Sequence, residues 1–366
     1  MNEAKDDPSG RPAVISARAW MVVVIAAALG IGLLAALRMD RSGRRERLGG
    51  RAEYNIDQYL KIDPELIGYV QQSEFALPVR QPRGVAVGPE DRVYVAGDRV
   101  VCVLEPDGRL LKRIPLEDAP LCLAVGGPEH RHPGRIYVGM KDHVQPLTSR
   151  GEAEPAWERL EQKAHVTSIA LGREDVFVAD AGHAVVLRYD SAGKLLGRIG
   201  RRDAEHGIPG LVIPSPFFDV AVAPDGLVWV VNPGAQRLEA YGPEGDLEMF
   251  WGEGKAAVDG FFGCCNPAHI AVLPDGRIVT AEKGLLRVKV YSAEGALEWV
   301  VAGPEQLGKP RGGASRLDRE FTAVDVAADS QGRVWVLDLT APRLRVFVPK
   351  RKEDRADATS TTEQTS

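Results

Sequence analysis

One short pattern, an alanine between two apolar residues, returns six times along this chain, at Ala86, Ala124, Ala170, Ala221, Ala271 and Ala327. The successive spacings are 38, 46, 51, 50 and 56 residues. Ten or eleven residues after five of these alanines comes a β-rich triplet and a closing residue: YVA with Gly97, FVA with Asp180, WVV with Asn232, VTA with Glu282 and WVL with Asp338. In the second unit the gap is longer, because EHRHPG is inserted ahead of IYVGM. Turn residues such as PDG at 224–226 and 274–276 separate the two features, as a tight reversal between strands requires.

A third strand follows in each regular unit (RLEAY, RVKVY, RLRVF), then a glycine turn and a fourth strand (KLLGRIG, ALEWVVAG). Four short strands at a period near 40–50 residues predict an all-β, six-bladed β-propeller. The sixth unit stops after its third strand, at RLRVFVPK, while an orphan strand, LIGYVQQSEF, precedes the first unit. The N-terminal strand is expected to complete the last blade and close the ring, which removes the exposed sheet edges.

The units resemble the NHL-repeat family, through the pattern P-x-G-V-A-V…G-R-V-Y-V-A-D…R-V-x-V-Y…G. The match covers about three quarters of the chain and is best over 164–200, 215–252 and 265–303. The resemblance implies six four-stranded blades around a central channel. It also implies a top face built from the loops joining strand four to the next blade and strand two to strand three.

Composition narrows the partners. The net charge is −5 with an isoelectric point near 5.9, so no global basic field points to nucleic acid. Four cysteines in 366 residues are too few for a disulfide scaffold. Residues 19–37, AWMVVVIAAALGIGLLAAL, are uncharged between Arg18 and Arg38, long enough to cross a bilayer as one helix. A signal peptide is the competing reading, but no clean small-residue cleavage site follows the apolar run.

The expected organisation is a tail at 1–18, a transmembrane helix at 19–37, an arginine-rich linker at 38–65, the propeller at 66–350 and a disordered tail at 351–366. Arg38, Arg41, Arg44, Arg45, Arg47 and Arg51 after the span favour a cytoplasmic propeller. The family resemblance implies instead an extracytoplasmic, periplasmic domain behind a single-pass anchor, and that is the expectation carried forward.

Two constellations carry the functional candidates. Asn232/Arg237, Glu282/Arg287 and Asp338/Arg343 share one spacing on the top face. Their recurrence favours a structural clamp on each blade's hairpin, by a charge-assisted hydrogen bond, over an anion site. Two residues before each landmark alanine, where the innermost strand begins, stand Gly84, Cys122, Ser168, Asp219, His269 and Asp325. Such residues converge on the propeller axis from different blades. Asp219, His269 and Asp325, with Cys122, would suit a divalent metal, zinc or calcium. The alternative is that the two aspartates cap backbone N–H groups. Propeller enzymes resembling NHL proteins, the amidating lyases and lactonases, hold zinc or calcium on this axis. The lyases use several histidines, however, and His269 is alone in this ring.

Cys264 and Cys265 lie in DGFFGCCNP, the loop into the fifth unit. They are open to three readings: a vicinal disulfide, inert buried thiols, or Cys265 facing the channel near His269. EHRHPG is expected to face solvent, and RGGASR at 311–316 lacks the lysine and the strand-to-helix context of a phosphate loop. With no catalytic motif in view, the expectation is a membrane-tethered binding module for a protein partner on the top face. The alternative is a metal- or thiol-dependent lyase or lactonase-like hydrolase centred on the channel.

Overall fold

The structure is a computed structural model that describes residues 57–205, 208–308 and 323–351. The expected membrane helix, the N-terminal tail, most of the arginine-rich linker, RGGASR and the C-terminal tail from 352 lie outside the described residues. Among the described residues no helix is long and apolar enough to cross a membrane.

Six antiparallel sheets follow one another around an axis. Blade 1 holds β2 (Pro82–Val87), β3 (Val93–Gly97), β4 (Val100–Leu104) and β5 (Leu110–Pro115). Blade 2 holds β6 (Cys122–Val125), β7 (Ile136–Gly139) and β8 (Val144–Leu147). Blade 3 holds β9 (Val166–Leu171), β10 (Asp175–Asp180), β11 (Val185–Asp190) and β12 (Leu195–Ile199). Blade 4 holds β13 (Val220–Val222), β14 (Val228–Asn232), β15 (Arg237–Tyr241) and β16 (Leu247–Trp251). Blade 5 holds β17 (His269–Val272), β18 (Ile278–Ala281), β19 (Val288–Tyr291) and β20 (Leu297–Ala302). Blade 6 holds β21 (Val324–Ala328), β22 (Val334–Asp338) and β23 (Arg343–Pro349), and β1 (Tyr69–Ala76) pairs with β23 as its fourth strand. The ring closes as the orphan strand predicts.

The alanine period has a steric cause. In register, Ala86 faces Tyr94, Ala124 faces Tyr137, Ala170 faces Phe177, Ala221 faces Trp229 and Ala327 faces Trp335. Small residues occupy the crowded strand beside the axis, and the large rings stand one strand further out, where the wedge between blades widens. Each of six apolar clusters joins two neighbouring blades, so burial glues blade to blade.

Blade 2 is the exception, with three regular strands. The chain returning beside β8 bonds to it irregularly, Glu154 N to Pro146 O, Trp157 N to Val144 O and Leu160 N to Asp142 O. Pro146 sits inside β8 and has no N–H to give a ladder on that side.

Candidate functional site

The starts of the innermost strands bring three of the predicted ring residues into one cluster. Asp219 immediately precedes β13, His269 opens β17 and Asp325 is the second residue of β21. His269 Nδ1 lies 3.3 Å from Asp219 Oδ2 and 3.4 Å from Asp325 Oδ1. The three side chains offer ligand atoms that all lie within 4.8 Å of one another, a set that could hold a metal ion. His269 Nε2 is buried with no hydrogen-bond partner.

The aspartates also stitch blades together. Asp219 accepts from Val220 N and, across the blade boundary, from Ile270 N, each at 2.8 Å. Asp325 accepts from Val326 N and from Val85 N of blade 1, again at 2.8 Å. Ser168 Oγ takes the equivalent place between blades 3 and 4, 3.4 Å from Val220 N. In each case the partner is the residue just after the next blade's ring position. Gly84 keeps that position open in blade 1, where a Cβ would lie 3.2 Å from the Cα of Cys122.

Burial, reinforced by the charge of Asp219, pushes the Asp325 carboxyl up to about 6, against the pull of His269 and two backbone N–H groups. Burial would lower His269, but the charges of Asp325 and Asp219 outweigh it, and the imidazole is raised. Burial first, and then the two aspartates, push the Cys122 thiol up, so it stays neutral. Cys122 lies outside the cluster of three, which removes it from the predicted ligand set.

A cavity of about 1300 Å³ runs from this cluster down the axis. Cys122, Ser168, Asp219, His269 and Asp325 line it, and Cys264 and Cys265 do not. Cys264 is exposed and Cys265 buried in the loop above blade 5, and none of the four cysteines forms a disulfide. The cavity's other end is bordered by the loops between first and second strands, at Pro89–Asp91, Pro128–His130, Gly172–Asp175, Pro224–Gly226 and Asp329–Ser330. Among the described residues the cavity therefore opens at the bottom face, opposite the top face on which the sequence analysis expected a partner. On the top side Phe217 packs edge-on against His269, centroids 6.0 Å apart, and Lys283 Nζ sits 5.1 Å from the Phe217 ring.

The acid–arginine spacing hides three different arrangements. Glu282 and Arg287 form the expected bidentate pair, at 2.9 and 2.7 Å, fully buried. Arg237 does not bond Asn232. Both turn to Glu239, Asn232 Nδ2 at 2.8 Å and Arg237 Nε at 2.7 Å. Asp338 holds its own turn through Thr340 N and Ala341 N, while Arg343 reaches Glu74 on the closing strand at 3.3 Å. A direct pair thus exists in one blade of three, because burial leaves each polar group to take whichever partner its own surroundings supply.

The residues that close the second strands do share a task that the sequence reading missed: tying the incoming loop to its blade. His165 N donates to Asp180, Val212 N to Asn232 and Phe262 N to Glu282. Also missed were the buried charges two residues after each arginine: Glu239, Lys289 and Arg345. Their signal was a charged residue at the centre of an apolar third strand, in RLEAY, RVKVY and RLRVF. EHRHPG is not wholly solvent-facing either. His130 is buried, with Nδ1 2.8 Å from Gly172 O and Nε2 3.0 Å from the Tyr137 hydroxyl, and both ring nitrogens are satisfied.

No family model matches the sequence, and no curated protein matches it. Solved structures do. A streptogramin B lyase is similar over 79% of this chain and all of its own, with 13% identity and a TM-score of 0.54. Virginiamycin B lyase from Staphylococcus aureus is similar over 76% of this chain and 99% of its own, with 11% identity and a TM-score of 0.52. A catalytically inactive histidine-to-alanine variant of that lyase, with quinupristin, matches with the same identity and coverage and a TM-score of 0.50. At such identities the likeness shows the β-propeller fold.

Proposed function

We propose that the axial cluster is the functional centre and that the chain is a metal-dependent enzyme of the lyase or hydrolase type. The observation that carries this reading is the convergence of Asp219, His269 and Asp325 from three blades, with an unpartnered buried nitrogen, at the end of an open channel. The spacing fits zinc. Ligand bonds of about 2.0–2.1 Å put neighbouring atoms of a tetrahedral site about 3.3 Å apart. The observed 3.3 and 3.4 Å match that separation and exceed the ~2.7–2.9 Å of a charge-assisted hydrogen bond. Calcium fits less well, since it takes about 6–8 oxygen ligands and only two carboxylates are present.

Zinc held by these three residues would polarise a bound oxygen as a Lewis acid. The remaining work belongs to the chain. The backbone N–H bonds from Val85, Val220, Ile270 and Val326 fix both carboxylates in place. Nε2 of His269 is left to hydrogen-bond a ligand, and Phe217 shields the imidazole on the top side. The lyase likeness supports elimination as the reaction class. One of those lyases is inactive when a single histidine becomes alanine, and His269 is the one histidine of the axial cluster here.

The expected result is about one equivalent of zinc in the purified full-length protein, lost in His269→Ala, by plasma mass spectrometry. A metal-free protein purified without chelators would leave the aspartates as blade-stitching caps and sink the enzyme reading. A protein partner on the top face has less support, because the acids and arginines there are bound to their own blades.

The same proposal keeps the propeller tethered by residues 19–37 on the extracytoplasmic side, as an NHL-type domain spanning 66–350. The NHL assignment rests on the quoted motifs. An alkaline phosphatase fusion at the C-terminus should be active, and a fusion folded only in the cytoplasm would reverse the orientation in favour of the arginine bias.

A further inference from the structure

The channel's composition changes in three steps from rim to floor. At the bottom rim the charges are matched except at Asp225, whose carboxylate accepts from Leu227 N. Arg173 pairs with Glu129 at 2.6 Å, Arg131 with Glu174 at 2.9 Å and Arg333 with Asp329 at 2.5 Å. Asp91 is held by Ser330 N and its hydroxyl, each at 2.9 Å. A rim so neutralised gives little steering to either sign of ligand. Below it the wall is aliphatic: the six landmark alanines and the valines and leucines beside them line the waist. At the floor the surface becomes polar again, with His269, Asp219, Asp325 and Ser168.

An unpaired charge crossing the alanine waist would shed water with no partner, which is costly. An apolar body would bury its surface there at a gain of roughly 25 cal/mol per Å². The volume, about 1300 Å³, exceeds the ~300–1,000 Å³ usual for small-molecule pockets. Apart from Asp219, the described residues of the top-face loops contribute nothing to the lining.

We propose that the ligand of the axial centre is an uncharged small molecule with an apolar body and one oxygen-bearing end, and that it enters from the bottom face with that end leading. This rests on the axial cluster being the functional centre. It adds a substrate class and a route.

The native Cys122 thiol is buried and stays neutral, so a Thr167→Cys variant, at a half-buried position that lines the channel beside Ser168, reports on what reaches the floor. The full-length variant would be treated with methyl, hexyl and sulfonatoethyl methanethiosulfonates, with modification of the introduced thiol followed by peptide mass spectrometry. Hexyl is expected to react at least as fast as methyl, and the anionic reagent at least about tenfold slower, because its charge must cross the waist. In a Cys264→Ser background, a bulky polymer maleimide on Glu129→Cys or Asp225→Cys, both on the exposed bottom rim, should slow hexyl labelling. The same polymer on Pro216→Cys, exposed on the top side, should not.

Sulfonate reacting as fast as hexyl, a block from Pro216 alone, or an introduced thiol that no reagent reaches would each overturn the proposal. Metal content measured on the same samples decides the zinc reading separately, so the two can fail independently.

Discussion

Two clusters in this propeller take acids and cations out of water, and they differ in how completely they are hydrogen-bonded. In blade 5, Glu282 receives both arms of Arg287, Lys289 Nζ at 2.7 Å and Phe262 N at 2.9 Å. Lys289 also donates to Val258 O and Gly260 O, and Arg287 to Ala256 O, so the knot binds the preceding loop down onto the blade. At the axis, His269 stands between two aspartates at longer distances and keeps one buried nitrogen unpartnered. A network with every group satisfied rigidifies, whereas one left incomplete is a place where a ligand can bind. Repetition in sequence drew attention to both clusters, but completeness of bonding is what separates their roles.

The largest effect should come from breaking the satisfied knot. Glu282→Gln leaves Arg287 and Lys289 as buried cations without their counter-charge, and loss of about 3–5 kcal/mol is expected. Urea unfolding would measure it, and zinc content should stay unchanged. A loss below about 1 kcal/mol would mean that the knot is not what holds the loop.

The axial cluster should answer to pH instead. The Asp325 carboxyl, at about 6 against an ordinary 3.8, binds its proton more tightly in the folded state than in the unfolded one. Its contribution is therefore complete below about pH 4 and is lost as pH rises through 6, at most about 3 kcal/mol. In metal-free protein, the stability advantage of wild type over Asp325→Asn should shrink from pH 4 to 7. An advantage that grows over that range would reverse the assigned sign.

How far this was legible follows from what repeats encode. The alanine period reports sterics at the axis, with a ring facing the alanine in five blades and Val279 facing Ala271 in blade 5, so blade number, ring closure and the positions of Asp219, His269 and Asp325 could be read directly. The direction of access could not, because the channel's opening depends on how loops pack and not on strand period. The partner choices of Arg237 and Arg343 were hidden for a related reason. Glu239 and Glu74 sit on different strands, one in the same blade and one on the closing strand. Blade 2 lost its regular fourth strand to a proline whose effect appears only once its neighbour is known.

The smallest expected effect tests whether repeat position or surroundings set the energy of a shared residue. Arg343 holds in blade 6 the position that Arg287 holds in blade 5, yet its side chain is 46% exposed where that of Arg287 is 1% exposed. Its one ion pair, Nε to Glu74 at 3.3 Å, faces water, and exposed pairs contribute about 0–1 kcal/mol. Arg343→Ala should therefore cost less than about 1 kcal/mol. Arg287→Ala, which strips a buried carboxylate of its bidentate partner, should cost several times as much. Both are read from urea midpoints on the same day and in the same buffer. Equal losses would mean that the blade architecture imposes one energy on this position whatever its burial. Completeness of bonding would then no longer explain why one cluster braces a loop while the other is open to a ligand.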